Sequence, residues 1–131
     1  MANLKLLIDT DIIIDCLKGI RAARELFRTQ NIEVYCSVLS KKELFSKPGL
    51  TSSERKRILA LLSKMKILRI DADISSKYSI LLNKYGENPN SIVDNLVAAT
   101  AWSKQLPLLT RNRKHFIHIQ EINLAPGYEI E

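Results

Sequence analysis

Short apolar segments alternate with longer segments of helical spacing along this chain. The apolar runs at residues 4–8, 32–36, 66–70 and 106–109 predict four strands, and residues 117–124 predict a weaker fifth. Strands that alternate with helices usually pair in parallel through right-handed crossovers. The pattern therefore predicts an α/β fold, a three-layer α/β/α sandwich around a mainly parallel sheet of four or five strands.

Start and stop signals delimit the helices between these strands. Ser37 or Ser40 can cap a helix that runs to about Ser46, and Thr51 with Glu54 forms a capping box for a helix that ends near Met65. Further helices are predicted at residues 12–17, at 21–28, at 73–85, closed by Gly86, and at 92–103, opened by Ser91.

Composition limits the class of protein. The chain has 131 residues, of which 46% are hydrophobic and 26% charged, as expected for one globular domain spanning residues 1–131. No apolar run approaches the roughly 20 residues of a membrane span, and no signal peptide is evident, so we expect a cytoplasmic protein. The net charge of +6 and a pI near 9.4 favour a polyanionic partner.

The cysteines and histidines do not form a recognisable zinc motif. Cys16 and Cys36 lie in a predicted helix and strand, and neither their spacing nor that of His115 and His118 matches a zinc site. We expect Cys16 and Cys36 to be core thiols without a disulfide.

Three acids lie at or near the beginnings of predicted helices. Asp9 follows the first strand, Glu43 comes three residues after Ser40, and Asp94 comes three residues after Ser91. Each also fits a helix cap, either directly or through capping-box spacing, so a purely structural role is an alternative for each one.

Considered together, the acids indicate a metal site. The carboxyl ends of parallel strands share one edge of the sheet, where ligands gather. Clustered carboxylates suit a hard cation such as Mg²⁺ or Mn²⁺. Asp11 can support this site or stabilise the helix dipole, whereas Asp15 is expected to pair with Lys18 outside the site.

The turn after the fourth strand is polar and basic. Thr110 and Asn112 are candidates to hold water at the metal site, and Arg111, Arg113 and Lys114 are candidates to bind phosphate. A solvated loop is the alternative. Lys42 extends the basic surface together with Lys41 and residues 55–57, although charged helix faces are usually only solvated.

The aromatic residues are not site candidates. Trp102, Tyr78 and Tyr85 have the helical spacing of core residues.

Four motifs are spread over nearly the whole chain: LIDTDIIID at the start, SVLSKKELFS around Glu43, IVDNLVAATA around Asp94, and LLTRNRKHF near the end. Together they resemble the motifs of the PIN-domain nucleases, and most closely those of the VapC-type toxins of toxin–antitoxin pairs. Their order and spacing make the set more specific than any single motif.

The resemblance implies a metal-dependent ribonuclease. It implies that Asp9 and Asp94 hold the metal and that Glu43 orients or deprotonates the attacking water, directly or through a second ion. Asp11 falls where the family often has serine or threonine, which implies a supporting role. His115 stands where many relatives have a fourth acid, which weakens the case for a second tightly bound metal. The resemblance also implies an RNA substrate, a homodimer and a cognate antitoxin.

Two other functions remain open from the sequence. An apolar strand followed by Asp9 and Asp11 also fits a phosphatase of the haloacid-dehalogenase type, with Asp9 as the nucleophile and Ser37 as a phosphate ligand, but it leaves Glu43 and Asp94 without a role. A non-catalytic RNA-binding or protein-interaction domain is the second alternative.

Overall fold

The computed structural model describes residues 4–86 and 92–128, which form a sheet flanked by helices. The strands are β1 (Leu4–Ile8), β2 (Ile32–Ser37), β3 (Lys66–Leu68) and β4 (Leu108–Leu109). The helices are α1 (Thr10–Leu17), α2 (Arg21–Arg28), α3 (Val38–Phe45), α4 (Ser52–Leu62), α5 (Ala72–Tyr85) and α6 (Ile92–Lys104). A 3₁₀ turn, Arg113–His115, follows β4.

The sheet is parallel, and its strand order is β3-β2-β1-β4. From β1 the chain proceeds outward through β2 and β3, then crosses back to place β4 on the other side of β1. Leu7 pairs with Tyr35 in β2, while Ile8 pairs with Leu109 in β4. The strand order therefore reverses at β1, and the carboxyl ends of β1 and β4 are neighbours.

Alternation along β1 divides the core between the two faces of the sheet. Leu6 and Ile8 pack with residues of α1 to α4, whereas Leu7 packs with α5, α6 and Phe116. This confirms the predicted three-layer sandwich. Trp102, Tyr78 and Tyr85 pack against the second cluster, as expected for core aromatics.

The fifth strand is the one predicted strand that the structure contradicts. Residues 117–124 form turns, and the segment's sheet contact is a single parallel bridge between Leu124 and Leu108. Ile119 and Ile122 are nevertheless buried, so the apolar pattern reflects packing against the sheet layer and not extended pairing. β3 and β4 are also shorter than predicted, ending at Leu68 and beginning at Leu108.

Helix caps follow the sequence signals in part. The Thr51–Glu54 capping box is confirmed, although α4 ends at Leu62 and not near Met65. Ser37 caps α3 by accepting a hydrogen bond from the Leu39 N–H at 3.1 Å, so the alternative Ser40 capping box is wrong. The predicted Ser91 cap lies outside the described residues.

Cys16 and Cys36 are free and buried, which confirms the expectation of core thiols. Throughout residues 4–86 and 92–128, the helices are too short or too polar for any of them to cross a lipid bilayer.

Candidate active site

Asp9 joins the end of β1 to the start of α1. Its Oδ1 accepts a hydrogen bond from the Thr10 N–H at 2.8 Å, so the side chain caps the helix. Its own N–H donates to the Leu109 carbonyl at 3.0 Å, which fixes it beside the end of β4. The helix-cap role and a place at the sheet edge are therefore both present in one residue.

Thr110 holds the second oxygen of Asp9. It follows β4, is fully buried, and donates its hydroxyl hydrogen to Asp9 Oδ2 at 2.9 Å. The Asn112 N–H in turn donates to the Thr110 hydroxyl at 3.0 Å. Because β1 and β4 are adjacent and parallel, the turn after β4 orients the carboxylate that follows β1.

Asp11 lies one residue into α1 and is half-buried. Its Oδ2 accepts a hydrogen bond from the Arg111 N–H at 3.0 Å. Its Oδ1 is buried and has no hydrogen-bond partner within the part of the chain that the structure describes. A buried carboxylate oxygen without a partner is costly, so this atom marks a place where a ligand would be favourable.

Glu43 reaches the same edge from α3. The Ser37 cap fixes the start of this helix, and Ser40 and Leu44 are buried on its inner side. The Thr10 hydroxyl donates to the Ser40 hydroxyl at 2.9 Å, which joins the first turn of α1 to α3. This contact places Glu43 beside the residues that follow β1.

Asp94 enters from the first turn of α6. Its Oδ2 lies 2.9 Å from Nδ1 of His115, and the same nitrogen lies 2.6 Å from the Asn112 side-chain nitrogen. His115 thus links Asp94 to the turn after β4.

The predicted acids meet in one cleft of about 430 Å³ at the carboxyl edge of the sheet. The residues that line it are Asp9, Thr10, Asp11, Ile14, Glu43, Val93, Asp94 and Asn112. Residues far apart in sequence are therefore brought together, as the strand pattern predicts.

Crowding and burial shift the titration of these acids. Burial, and then the charge of Asp11, raises the pKa of Asp9 to about 6, against hydrogen bonds from Thr10 and Thr110 that lower it. Burial also raises the pKa of Asp11 and that of Glu43, and for Glu43 the charge of Asp94 adds to the effect. The cleft thus holds carboxylates that are electrostatically strained when all are ionised.

The donor set fits a hard divalent cation. It consists of carboxylate oxygens, one of them buried without a partner, around a cleft with room for water. Among residues 4–86 and 92–128, no three Asp, Glu, His or Cys side chains lie close enough together to ligate one ion at the same time. Mg²⁺ commonly uses only one or two carboxylates and retains several waters, so the arrangement meets its needs.

Two basic residues of the turn after β4, Arg111 and Arg113, make intramolecular contacts. Arg111 forms a bidentate pair with Asp15, with Nε–Oδ2 and Nη2–Oδ1 distances of 2.6 and 2.9 Å, so the expected Asp15–Lys18 pair is wrong. Asp15 is 1% exposed and also accepts the Tyr128 hydroxyl at 2.8 Å.

Arg113 donates to the Ala125 carbonyl at 2.8 Å. Lys114 and Lys42 are exposed. RNA binding by Lys42, Arg111, Arg113 and Lys114 stays a prediction.

The sequence patterns do not single out Thr10 as a residue of the cleft. Thr10 lines the cleft and joins α1 to α3, and its signal was its position between two site acids. For His115, the resemblance indicates a place among the family's site residues, and the structure adds its contact with Asp94, 21 positions away.

The fold and the acidic cleft define a class of protein. The family model of the PIN domain matches residues 6–122, so the chain belongs to the PIN domain family.

Among individual relatives, the chain is 29% identical over 130 residues to ribonuclease VapC10 of Mycobacterium tuberculosis, covering 94% of this chain and 96% of that protein. The resemblance to VapC-type proteins predicted from the four motifs is thereby confirmed.

The chain is also similar in fold to chains of solved structures. A toxin–antitoxin complex from Klebsiella pneumoniae contains a chain with 29% identity and a TM-score of 0.77, covering 95% of this chain and 99% of its own. A chain of VapBC2 from Rickettsia felis, bound to a DNA fragment from the promoter, has a TM-score of 0.83 at 20% identity, covering 96% of this chain and 100% of its own. The second likeness supports the fold alone.

Proposed function

We propose that this protein is a divalent-metal-dependent endoribonuclease, formed by residues 1–131 as a single nuclease domain. The observation that carries the proposal is the convergence of Asp9, Asp11, Glu43 and Asp94 on one cleft at the reversal point of the sheet. The similarity to a ribonuclease over 94% of the chain supports RNA as the substrate.

Asp9 and Asp94 would hold a Mg²⁺ or Mn²⁺ ion. When bound, such an ion supplies Lewis-acid chemistry that stabilises the charge developing on a phosphate. Thr110 orients Asp9 through its hydroxyl, His115 contacts Asp94, and Asn112 contacts His115. These neighbours fix the direction of the two carboxylates.

Glu43 would orient the attacking water and accept its proton. Burial and the charge of Asp94 raise the pKa of Glu43, which makes its carboxylate a better proton acceptor than an ordinary surface glutamate. Asp11 would support the site through its unpartnered oxygen.

The partners proposed for the protein are an RNA substrate, a second copy of the chain and a cognate antitoxin, with the cytoplasm as the place of action. The solved relatives include a toxin–antitoxin complex at 29% identity, which supports the role of a toxin.

The phosphatase alternative is less well supported. Ser37 is 1% exposed and its hydroxyl caps α3, so it is not placed to bind a substrate phosphate. The phosphatase also gives no role to Glu43 or Asp94, whereas both line the cleft.

The test compares Asp94→Asn with the parent on total RNA in Mg²⁺. We expect cleavage to fall by about 10² to 10⁴-fold, because a site carboxylate is lost, while RNA binding is preserved. Chelation of divalent ions should abolish cleavage by the parent.

Asp73→Asn is the matched control, since it removes the same charge from α5, where Asp73 is exposed. It should cleave like the parent. Asp94→Asn protein that cleaves as fast as Asp73→Asn protein at saturating Mg²⁺ would contradict the proposal and favour the non-catalytic alternative.

A further inference from the structure

A second concave site lies between the end of α1, α2 and α4. This pocket, called the basic pocket below, has a volume of about 320 Å³. Its charged lining residues are Arg24, Arg28, Arg57 and Lys64, and no acid lines it among the residues that the structure describes. The remaining lining is mainly apolar, with Leu17, Phe27, Ala60 and Leu61 beside Cys16.

Two of the arginines are fixed in place. Arg24 Nε donates to the Cys16 carbonyl at 3.3 Å, and Arg57 Nη2 donates to the Leu17 carbonyl. These contacts serve the carbonyl end of α1, whose last turn has no basic residue of its own. Each contact uses one of the five N–H donors of a guanidinium, so helix capping does not exhaust either arginine.

Within residues 4–86 and 92–128, the other two cations, Arg28 and Lys64, do not cap a helix in this way. Arg28 makes an exposed pair with Glu25 at 3.5 Å, a contact of small energetic value. Lys64 follows α4, and its charge lowers the pKa of the Cys16 thiol, although burial raises that pKa overall. Both side chains therefore add positive charge to the pocket beyond what the fold requires.

A groove connects the basic pocket to the acidic cleft. The groove, of about 450 Å³, shares Thr10, Ile14 and Glu43 with the cleft and shares Leu17 and Arg57 with the basic pocket. All three sites thus follow α1 from its first turn to its last. At 1.5 Å per residue, the path from Thr10 to Leu17 is about 10 Å long.

We propose that the basic pocket binds a backbone phosphate of the RNA, at a distance from the bond that is cut. This inference rests on the ribonuclease function proposed above. Guanidinium groups match phosphate oxygens in a bidentate manner. A polynucleotide carries a charge on every nucleotide, so one strand can place one phosphate at the acids and another about 10 Å away, among four cations.

The test removes two cations from the pocket and two from elsewhere on the same part of the fold. Arg28→Gln with Lys64→Gln is the pocket variant. Arg21→Gln with Lys56→Gln is the control, since both of these residues are exposed and neither lines the pocket. The two variants have equal net charge, so general attraction to RNA is matched between them.

Binding of single-stranded RNA is measured across a salt series, and cleavage is measured in Mg²⁺. For the pocket variant we expect affinity to fall by about tenfold and the slope of log K against log salt to become shallower by about 0.7, the value for one lost phosphate contact. We expect KM to rise with little change in kcat, because the pocket does not contact the reacting atoms. In the control variant, RNA affinity, the salt slope and KM should each change much less.

Equal RNA affinities and slopes for the two variants would overturn the proposal. So would a pocket variant that binds RNA normally but loses affinity for an antitoxin, because the pocket would then take an acidic protein segment.

Failure of the ribonuclease proposal gives a different result. A parent that binds RNA but does not cleave it would reject the enzyme, while the difference in binding between the two variants would still decide the phosphate site. A parent that neither binds nor cleaves RNA would reject both proposals.

Discussion

The pKa values of Asp9 and Asp11, at the sheet edge, are shifted in the opposite direction from those of Asp71 and Glu54, at the starts of α5 and α4. Hydrogen bonding to Lys104 lowers the pKa of Asp71, and hydrogen bonding to Lys47 lowers that of Glu54. In the cleft, burial raises the pKa of Asp9 and of Asp11. In the described part of the chain, neither Asp9 nor Asp11 forms a salt bridge.

The difference shows that unfavourable electrostatic energy is concentrated among the acids of the cleft. Asp71 and Glu54 form ion pairs with surface lysines. Such exposed pairs contribute little to the free energy of unfolding, but they leave no carboxylate charge unpaired. Acids beside the strand ends are packed together without enough positive charge, a pattern that is common at functional sites. Asp15 provides an internal reference, because it is as buried as a core residue but is paired with Arg111.

The largest effect on the free energy of unfolding should come from removing the arginine that pairs with buried Asp15, since Asp15 would then be a buried carboxylate without a salt bridge, like Asp9 and Asp11. Arg111→Gln leaves a carboxylate of 2% side-chain exposure without its cation, so we expect the free energy of unfolding to fall by about 2 to 4 kcal/mol. Urea unfolding at pH 7 measures this change. Lys114→Gln, an exposed neighbour, should alter it by less than about 0.5 kcal/mol, and similar losses for both variants would remove the contrast.

An effect of the opposite sign is expected for Asp9→Asn in metal-free protein. Asparagine can still cap α1, but it carries no charge that burial and Asp11 would oppose. We expect the variant to be more stable than the parent by about 1 to 3 kcal/mol at pH 8. Thermal unfolding in a chelator measures the gain.

The sign of the pH dependence follows from the raised pKa of Asp9. Between its ordinary value of 3.8 and about 6, the folded protein binds more protons at Asp9 than the unfolded chain does. Stability of the parent therefore falls as pH rises through this window, and the advantage of Asp9→Asn grows over the same range. A constant difference from pH 4 to pH 8 would mean that the Asp9 charge is not the cause.

The smallest effect is expected for the same substitution at an outer acid. Asp71→Asn keeps a capping side chain for α5 but loses the charge that pairs with Lys104, so it should lower the melting temperature slightly at pH 7. Because the pKa of Asp71 is lowered, this loss should disappear as pH falls below 3.8. If Asp71→Asn and Asp9→Asn shift stability in the same direction at pH 8, the comparison between the two regions is wrong.

Much of the fold could be predicted because its signals are local. Apolar runs at β1 and β2 and the Thr51–Glu54 capping box are read directly from neighbouring residues, and the structure contains all of them. The pattern of residues 117–124 predicts a strand that does not form, because an irregular segment that covers a sheet can have the same apolar residues as a strand. Periodicity alone does not distinguish packing from pairing.

The site could be predicted only as a set of acids. The parallel order of β1 and β4 made it reasonable to bring Asp9 and Thr110 to one edge, and they are in hydrogen-bond contact. The partner of Asp15 could not be found, because a local Lys18 and a distant Arg111 fit the sequence equally well. Only the turn after β4 decides between them, by placing Arg111 over α1.

Direct titration with Mn²⁺, followed by electron paramagnetic resonance, tests most directly whether the cleft is a divalent-metal site. We expect the parent and Asp71→Asn to bind the ion, and we expect Asp9→Asn and Asp94→Asn to lose most of that binding while remaining folded. Undiminished Mn²⁺ binding in both cleft variants would contradict the account, because the ion would then be held elsewhere.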